Sequence, residues 1–374
     1  MYKNLLSLII FFLLISTTIF SQSNIGIGQW RSHLPYQFGR YVTQSESTIY
    51  YATDWSIVSI DKEERSVDFL SKDNGLSEVG IGLIKYDKAL ELLVVSYDNG
   101  VIDLVGTDEI ITVTDISNFN NITINKTIND IFITNESIAY IAAGYGISRL
   151  DLKDGLFKST TFTGINVNSV VVLDGIIYAG TDEGIYTINT DNAFLEVFDN
   201  WTLLDNNINL PLDYSTKAMT LFKGKLVFDV NDSLYTIENN LTKYLYHKDN
   251  RVINFLTSEG PNLLMGLGCL PDCGGTVVRF KNDSFIPESP GGGCVDRPLY
   301  AIEDEQQSVW FADQFRGIRV SEKFITGCSK TVYNSPYSQF SNELAIYENK
   351  LYVASSSLKD NGSPRDLADG FFTF

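Results

Sequence analysis

Short runs of apolar and aromatic residues alternate with polar turns along almost the whole chain. In the clearest copies, a β-rich run leads into a turn carrying Asp or Gly, and Ile, Val or Leu opens a second run. These copies are IYYATDWSIVSID (residues 49–61), LLVVSYDNGVIDL (92–104), AYIAAGYGISRLD (139–151), IYAGTDEGIYTIN (177–189) and VWFADQFRGIRV (309–320). One such hairpin cannot bury its apolar face alone, so the pattern predicts an all-β protein of stacked or radially repeated units.

The spacing of the copies indicates a propeller. The residues that open the second run are Ile57, Val101, Ile147, Ile185, Leu234, Val277 and Ile318, and their successive separations are 44, 46, 38, 49, 43 and 41 residues. A four-stranded propeller blade repeats every 40 to 50 residues or so, whereas a parallel β-helix has a shorter coil and a sandwich does not repeat one hairpin so regularly. The sequence therefore predicts a seven-bladed β-propeller of four-stranded antiparallel blades over residues 22–334. In the second unit we expect strands at residues 81–86, 92–97, 101–104 and 110–115.

A further partial copy follows the seventh unit. It reads NELAIYENKLYVASSS (residues 342–357) and is followed by a loop with Gly, Ser and Pro and then by DGFFTF. Residues 335–374 are thus predicted to be either the beginning of a second propeller or a segment that closes the ring.

The first residues have the layout of a secretory signal peptide. Lys3 precedes an apolar stretch from Leu5 to about Ile15, and small polar residues lead to a plausible cleavage point after Ser21. We predict a signal peptide at residues 1–21 and an exported protein that is surface-associated rather than membrane-spanning. The alternative is an uncleaved membrane anchor, because the stretch approaches the minimum spanning length.

Composition narrows the classes of partner. The chain has 374 residues, 44% of them hydrophobic, and a formal net charge of −18. This provides ample material for a core and argues against electrostatic binding to nucleic acid or anionic lipid headgroups. Any polyanionic partner needs a local basic patch or bridging cations.

Four cysteines in an exported chain favour disulfides. They are Cys269, Cys273, Cys294 and Cys328, and three pairings are possible. Cys294 is expected to lie in a loop on the same face as CLPDC, so it can bridge to Cys269 or Cys273, and the partner of Cys328 stays open. Zinc is the alternative, but zinc ligands usually come in close pairs, and only one such pair is present. We expect no metal and no other cofactor.

Catalytic signatures are missing. Only His33 and His247 are available as imidazole bases, and a Ser or Cys nucleophile normally needs a nearby base. Carboxylates recur at Asp54, Asp98, Asp182 and Asp313, but these fall in repeat turns, where Asp accepts hydrogen bonds from backbone N–H groups. The sequence predicts a protein that is not an enzyme, although residues can converge from different blades.

Aromatic and Arg residues in the repeat turns are the better candidates for binding. Trp55, Tyr145, Phe315 and Arg316 occupy turns that should cluster near one face, and such residue types form contact hot spots. The alternative is that they fill the spaces between blades.

Segments of this chain resemble the sequences of two protein families. NGLSEVGIGLIKYDKALELLVVSYDNGVIDL (residues 74–104) resembles the propeller repeat of two-component regulators. The secretory leader, IGIGQWRSHLPYQFGRYV (25–42), the hairpin at 49–61 and LYVASSS…DGFFTF (351–374) together resemble the PorZ-like surface proteins of the type IX secretion system.

The second resemblance implies a surface-displayed protein with two propellers and a carboxy-terminal secretion-signal domain. It implies work with the sortase machinery that removes signals from cargo and attaches cargo to anionic lipopolysaccharide, and a route from the periplasm to the outer-membrane cell surface. By this resemblance, the second propeller would have barely begun at Phe374. The leading hypothesis is a non-enzymatic binding or scaffold component of type IX secretion. The alternative is the periplasmic ligand-sensing propeller of a two-component regulator.

Overall fold

A computed structural model describes most of the chain after residue 31. The described residues are 32–119, 125–204, 209–211, 213–238, 241–271, 273–281, 284–288, 293–323, 327–331, 333, 335–336, 339–348, 350–355, 358–359, 361–365 and 370–373. The chain divides into Met1–His33 and Leu34–Phe374, and every strand lies in the second unit. The predicted signal peptide lies outside the described residues.

Antiparallel meanders, in which consecutive strands pair, make up the second unit. The first three sheets contain β1–β4 (Tyr41–Gln44, Thr48–Ala52, Ser56–Asp61, Val67–Ser71), β5–β8 (Ile81–Asp87, Leu92–Tyr97, Ile102–Val105, Ile110–Val113) and β9–β12 (Ile128–Ile133, Ile138–Ala143, Gly146–Asp151, Leu156–Phe162). The next two contain β13–β16 (Val167–Leu173, Ile176–Thr181, Gly184–Asn189, Thr202–Leu203) and β17–β20 (Met219–Phe222, Lys225–Val230, Ser233–Glu238, Leu241–Tyr246).

Three sheets complete the described strands. They contain β21–β24 (Arg251–Thr257, Leu263–Cys269, Thr276–Lys281, Ser284–Pro287), β25–β28 (Pro298–Glu303, Val309–Asp313, Arg319–Ser321, Ser329–Lys330) and β29–β31 (Ser341–Tyr347, Lys350–Ser355, Phe371–Thr373). Short helices occur at Lys72–Asn74, Asp115–Asn118 and Phe198–Asn200. None of the helices in the described ranges is long and apolar enough to cross a membrane.

The predicted all-β class is confirmed, and the four-stranded antiparallel sheets are those of a β-propeller. In the second hairpin repeat, strands β5–β8 agree closely with the expected ranges, and β8 ends two residues before the predicted position. The hairpin turns are as tight as the sequence indicated. Gly146, for example, has φ 142° and a side chain there would collide with the carbonyl oxygen of Thr161.

The first strand of each four-stranded sheet is the inner one. β1, β5, β9, β13, β17, β21 and β25 each contact the next in this order, and β25 contacts β1. The apolar core lies in layers between neighbouring sheets. The layer between the first sheet and the β25–β28 sheet, for instance, contains Ile49, Tyr51, Trp310 and Phe311, all of them buried. This is the arrangement in which each hairpin repeat buries its apolar face against its neighbours.

The β29–β31 sheet differs from the others. It has three strands in the described residues, and β29 is exposed along its whole length. Leu344, Ile346 and Tyr347 are among its exposed apolar side chains.

The disulfides pair cysteines that the sequence did not pair. Cys269 bonds to Cys273 and Cys294 bonds to Cys328, with Cα–Cα distances of 5.4 and 5.5 Å. The expected bridge from Cys294 to Cys269 or Cys273 is therefore wrong. Cys294 is instead buried in the apolar cluster shared by the first, β21–β24 and β25–β28 sheets, and Cys328 packs against the same cluster.

A buried carboxylate fixes the start of one inner strand. Asp229 on β18 is fully buried, and its Oδ1 accepts hydrogen bonds from the backbone N–H groups of Lys217 (2.6 Å) and Ala218 (2.7 Å) just before β17. Its Oδ2 has no partner among the described residues. Burial raises the pKa of Asp229 to about 6, against an ordinary value of 3.8, although the two N–H groups oppose the shift.

This pKa gives a stability signature. Between pH 3.8 and about 6, folded Asp229 holds a proton that the unfolded chain has released, so the free energy of unfolding falls as the pH rises through this window. We expect Asp229→Asn to remove this fall, which amounts to roughly 2 to 3 kcal/mol, and to be at least as stable as wild type at pH 7. Urea unfolding as a function of pH checks this. Asp68→Asn, at an exposed position on β4, is the control, and a variant that keeps the wild-type slope would contradict the assignment.

Candidate functional site

The meander gives the ring of sheets two faces with different connections. Because neighbouring strands are antiparallel, the turns between second and third strands lie beside the start of each inner strand. We call this the turn face, and it carries turns such as those between β2 and β3 and between β26 and β27. The opposite face lies at the carboxyl ends of the inner strands.

All four predicted binding residues lie in turns of the turn face, and Trp55, Phe315 and Arg316 are at least partly exposed there. Trp55 follows β2 and is half-buried, with its N–H donating to the Thr53 hydroxyl. Phe315 and Arg316 follow β26, and both of their N–H groups donate to Oδ1 of Asp313. Phe315 is 45% exposed, so this turn presents an aromatic side chain to solvent.

Tyr145 is not on the surface, which corrects its assignment as a binding residue. Its side chain is 1% exposed, and its hydroxyl is hydrogen-bonded to that of Ser148 at 2.9 Å. Burial raises the pKa of Tyr145 to about 12. The centre of its ring lies 6.0 Å from that of Phe162, so Tyr145 fills space within the fold.

A cleft of about 350 Å³ lies on the turn face near Phe315, and we call it the turn-face cleft. The disulfide loop of Cys269 and Cys273 lines one side, where Leu270 is 57% exposed. Arg297 lines the other side, and its guanidinium lies 4.9 Å from the centre of the Phe315 ring. Aromatic and Arg side chains beside a cleft are typical of protein-contact hot spots.

The recurring Asp residues of the turns are engaged in structural contacts. Asp313 caps backbone N–H groups as expected, but Asp54 and Asp98 instead pair with Arg40, at 3.0 and 3.1 Å. Asp182 accepts a hydrogen bond from the Asn168 side chain. In the described part of the chain, no group of three or more His, Cys, Asp or Glu side chains is placed to hold a metal ion.

A further cavity opens on the opposite face, and sequence reasoning missed it. This axial cavity has a volume of about 690 Å³ and is lined from the inner strands β1, β5, β9, β17, β21 and β25 and the turns after them. Lys88, Pro261 and Glu305 lie exposed at its mouth. The one signal in the sequence was Lys85, a charged residue inside the otherwise apolar start of IGLIKYD.

An ion pair with two tyrosines lies at the base of the axial cavity. Nζ of Lys85 lies 2.6 Å from Oε1 of Glu259 and 2.9 Å from the Tyr300 hydroxyl. Oε2 of Glu259 accepts a hydrogen bond from the Thr43 hydroxyl at 2.8 Å. The rings of Tyr41 and Tyr300 stack with centroids 3.8 Å apart, and Lys85 lies over both.

The electrostatics hold Lys85 in its charged form. Burial lowers the pKa of Lys85, but the Glu259 carboxylate opposes this more strongly together with the two tyrosines, so the net shift is upward. Burial has the opposite effect on Tyr300, whose pKa it raises, and Lys85 opposes this shift in part. Lys85 is therefore an ammonium group at neutral pH.

A smaller chamber of about 180 Å³ continues beyond the ion pair toward the turn face. All seven inner strands contribute to its lining, and Lys85 and Tyr300 line both chambers. It contains Asp130, whose pKa is raised by burial and lowered in part by Lys85 and Ser169. Lys85 and Tyr300 thus separate the two chambers.

Repeated antiparallel sheets around such an axis define the class of β-propeller proteins. Residues 49–202 match the family model described as the N-terminal β-propeller domain of PorZ of the type IX secretion system. The resemblance to PorZ-like proteins that the sequence indicated is confirmed.

Solved structures agree with this class. PorZ, an essential surface component of the type IX secretion system of Porphyromonas gingivalis, matches with a TM-score of 0.73 and 18% identity over 89% of this chain and 44% of that one. The extracellular domain of a protein described as a hybrid two-component system from B. thetaiotaomicron matches with a TM-score of 0.54 and 12% identity over 92% of this chain and 48% of that one. The chain thus spans less than half the length of either relative. Comparison with curated protein sequences gives no match.

Proposed function

We propose that this protein is an exported, non-enzymatic β-propeller that acts as a binding or scaffold component of type IX secretion and of the cell-surface attachment of cargo. The observation that carries the proposal is the match of residues 49–202 to the PorZ N-terminal propeller. The proposed partners are components of the type IX secretion and sortase machinery, together with anionic lipopolysaccharide. The proposed route runs through the periplasm to the outer-membrane cell surface, directed by a signal peptide at residues 1–21.

The proposed architecture is a ring of seven blades within residues 22–334. It is supported by the seven copies of the hairpin repeat, with their six similar spacings, and by the contact between β25 and β1, which joins the last four-stranded sheet to the first. Residues 335–374 are proposed to begin a second propeller. The exposed β29 supports this placement outside the ring.

The proposed contact surface is the turn-face cleft with Phe315 and Arg316 at its edge. Arg316 is held by an ion pair with Asp296 at 3.3 Å, and Arg297 is held over the Phe315 ring. Because these groups are positioned before a partner arrives, less side-chain entropy is lost on binding. Trp55, in the equivalent turn of the first sheet, extends this surface.

Deletion of the gene in its native host tests the proposal. We expect secreted cargo to keep its carboxy-terminal signal and to leave the cell surface, because the component that supports signal removal and attachment is missing. Complementation with the full gene should restore both. Normal cargo processing in the deletion strain would overturn the proposal.

A paired substitution tests the contact surface. We expect Phe315→Ala with Arg316→Ala to lower recovery of type IX components in cross-linking pull-downs from native membranes by about tenfold or more, since truncation of one hot-spot residue costs about 2 kcal/mol or more. Phe194→Ala with Lys153→Ala, at exposed positions away from the turn-face cleft, is the matched control. Equal recovery with both double variants would place the contact elsewhere.

The second candidate is a ligand-sensing propeller of a two-component regulator in the periplasm. The structural likeness to the extracellular domain from B. thetaiotaomicron favours it. In that case deletion should leave cargo processing intact and change the transcriptional response to a small ligand.

A further inference from the structure

The axial cavity has the size and shape of a ligand site. Small-molecule sites are concave and have volumes of about 300 to 1,000 Å³, and they combine apolar walls with a few placed polar groups. Here the walls include Ile133, Leu221, Phe132 and Pro261, and the charged base is formed by Lys85 and Glu259. The cavity therefore combines these apolar walls with one ion pair at its base, while Lys88 and Glu305 lie at its mouth.

The ion pair faces the cavity with unused hydrogen-bonding capacity. The side chains of Lys85 and Glu259 are 16% and 25% exposed. An ammonium group has three N–H donors, and within the described residues Lys85 directs two of them, to Glu259 and Tyr300. A carboxylate has about four acceptor positions. Within the described residues, the Glu259 carboxylate accepts hydrogen bonds from Lys85 and from the Thr43 hydroxyl. One donor and further acceptor positions thus remain at the base.

The charge balance at the base selects the ligand. A ligand that carries only a negative charge is attracted by Lys85 and repelled by Glu259 a few ångströms away, and one that carries only a positive charge meets the reverse. Burial makes such an uncompensated contact expensive. A zwitterion places its carboxylate against Lys85 and its ammonium group against Glu259 with no net charge brought into the cavity.

The short distance within the pair also limits the spacing of the ligand's charges. Nζ of Lys85 and Oε1 of Glu259 are 2.6 Å apart, so the complementary groups must be close neighbours, as they are on the single α-carbon of an amino acid. The chamber above then takes the side chain against Phe132 and Leu221. We propose that the axial cavity binds free α-amino acids with a large apolar or aromatic side chain, held by Lys85 and Glu259.

Isothermal titration of the full chain tests this with four probes. Phenylalanine carries both charges, 3-phenylpropionate lacks the ammonium group, 2-phenylethylamine lacks the carboxylate, and maltose is a neutral polyol. We expect phenylalanine to bind and each analogue that lacks one charge to bind at least about tenfold more weakly, since one charge-assisted hydrogen bond contributes about 1.5 to 3 kcal/mol. Equal binding of either analogue, binding of maltose alone, or no heat with phenylalanine at millimolar concentration would each overturn the proposal.

Variants locate the site. Lys85→Met with Glu259→Gln removes both charges without changing the net charge, and we expect it to abolish phenylalanine binding. Lys225→Met with Glu238→Gln makes the same change at an exposed pair on β18 and β19. This variant should bind phenylalanine as wild type does. If the first double variant does not fold, Glu259→Gln alone decides the matter, because glutamine still offers a carbonyl oxygen to Lys85. That variant is expected to bind phenylalanine at least tenfold more weakly while its binding of 3-phenylpropionate does not fall, and unchanged phenylalanine affinity contradicts the assignment.

Discussion

Arg279→Met is expected to lower the free energy of unfolding by about 3 to 5 kcal/mol, the range for removal of one partner from a buried ion pair. Arg279 on β23 lies between two buried carboxylates, with Nε 3.1 Å from Oε1 of Glu288 and Nη2 2.9 Å from Oε1 of Glu303. Glu303 is fully buried, and it also accepts hydrogen bonds from Asn262. Loss of the guanidinium group leaves two carboxylates close together without a cation, at the junction of the β21–β24 and β25–β28 sheets.

Urea unfolding at neutral pH measures this loss. Lys225→Met removes a cation from the exposed pair with Glu238 and should cost much less than Arg279→Met, because exposed ion pairs contribute little to stability. The pH dependence gives a second readout. Burial raises the pKa of Glu288, with Arg279 opposing the shift and Glu303 adding to it, so removal of Arg279 should raise this pKa further and the variant should recover stability as the pH falls. A loss at Arg279 no larger than at Lys225 would show that the buried network contributes little.

Replacement of Cys294 and Cys328 by alanine is expected to destabilise the fold by about 4 kcal/mol, against about 2 kcal/mol for the same change at Cys269 and Cys273. The cross-links close loops of different length, with sequence separations of 34 and 4 residues. A longer closed loop removes more conformational entropy from the unfolded chain, which gives these magnitudes in the chain-entropy model. The longer link also lies in the apolar cluster shared by the first, β21–β24 and β25–β28 sheets.

Urea unfolding of the two double variants, with reduced wild type as a reference, checks the order. Reduced wild type should lose about the sum of the two effects, because the pairs are independent links. If the Cys269 and Cys273 variant loses as much as the other, the loop-length argument fails for this protein.

The strands could be predicted from sequence because each is set by local pattern. The alternation of apolar and polar residues and the Asp and Gly turns predicted hairpins such as β6–β7. The structure agrees closely with the strand ranges predicted for β5–β8. The burial of Tyr145 could not be predicted, since its turn resembles those of Trp55 and Phe315 in sequence. Whether an aromatic ring at such a turn faces solvent or the core depends on the space left by its neighbours.

The axial cavity could not be predicted because its residues are distant in sequence. Thr43 and Glu259 are 216 residues apart and meet only when the inner strands surround one axis. The pairing of the cysteines could not be predicted for a related reason. The number of residues between Cys294 and Cys328 does not indicate whether their Cα atoms are close in the fold, where they lie 5.5 Å apart.

The location of the protein in intact cells tests the central proposal most directly. Labelling of native cells with a membrane-impermeant amine reagent, followed by capture of this protein, reports whether it lies outside the outer membrane. A surface component of type IX secretion should be labelled in intact cells as strongly as after the outer membrane is permeabilised, while a periplasmic control protein is labelled only after permeabilisation. Labelling of this protein only in permeabilised cells would contradict the surface role and favour the periplasmic sensor.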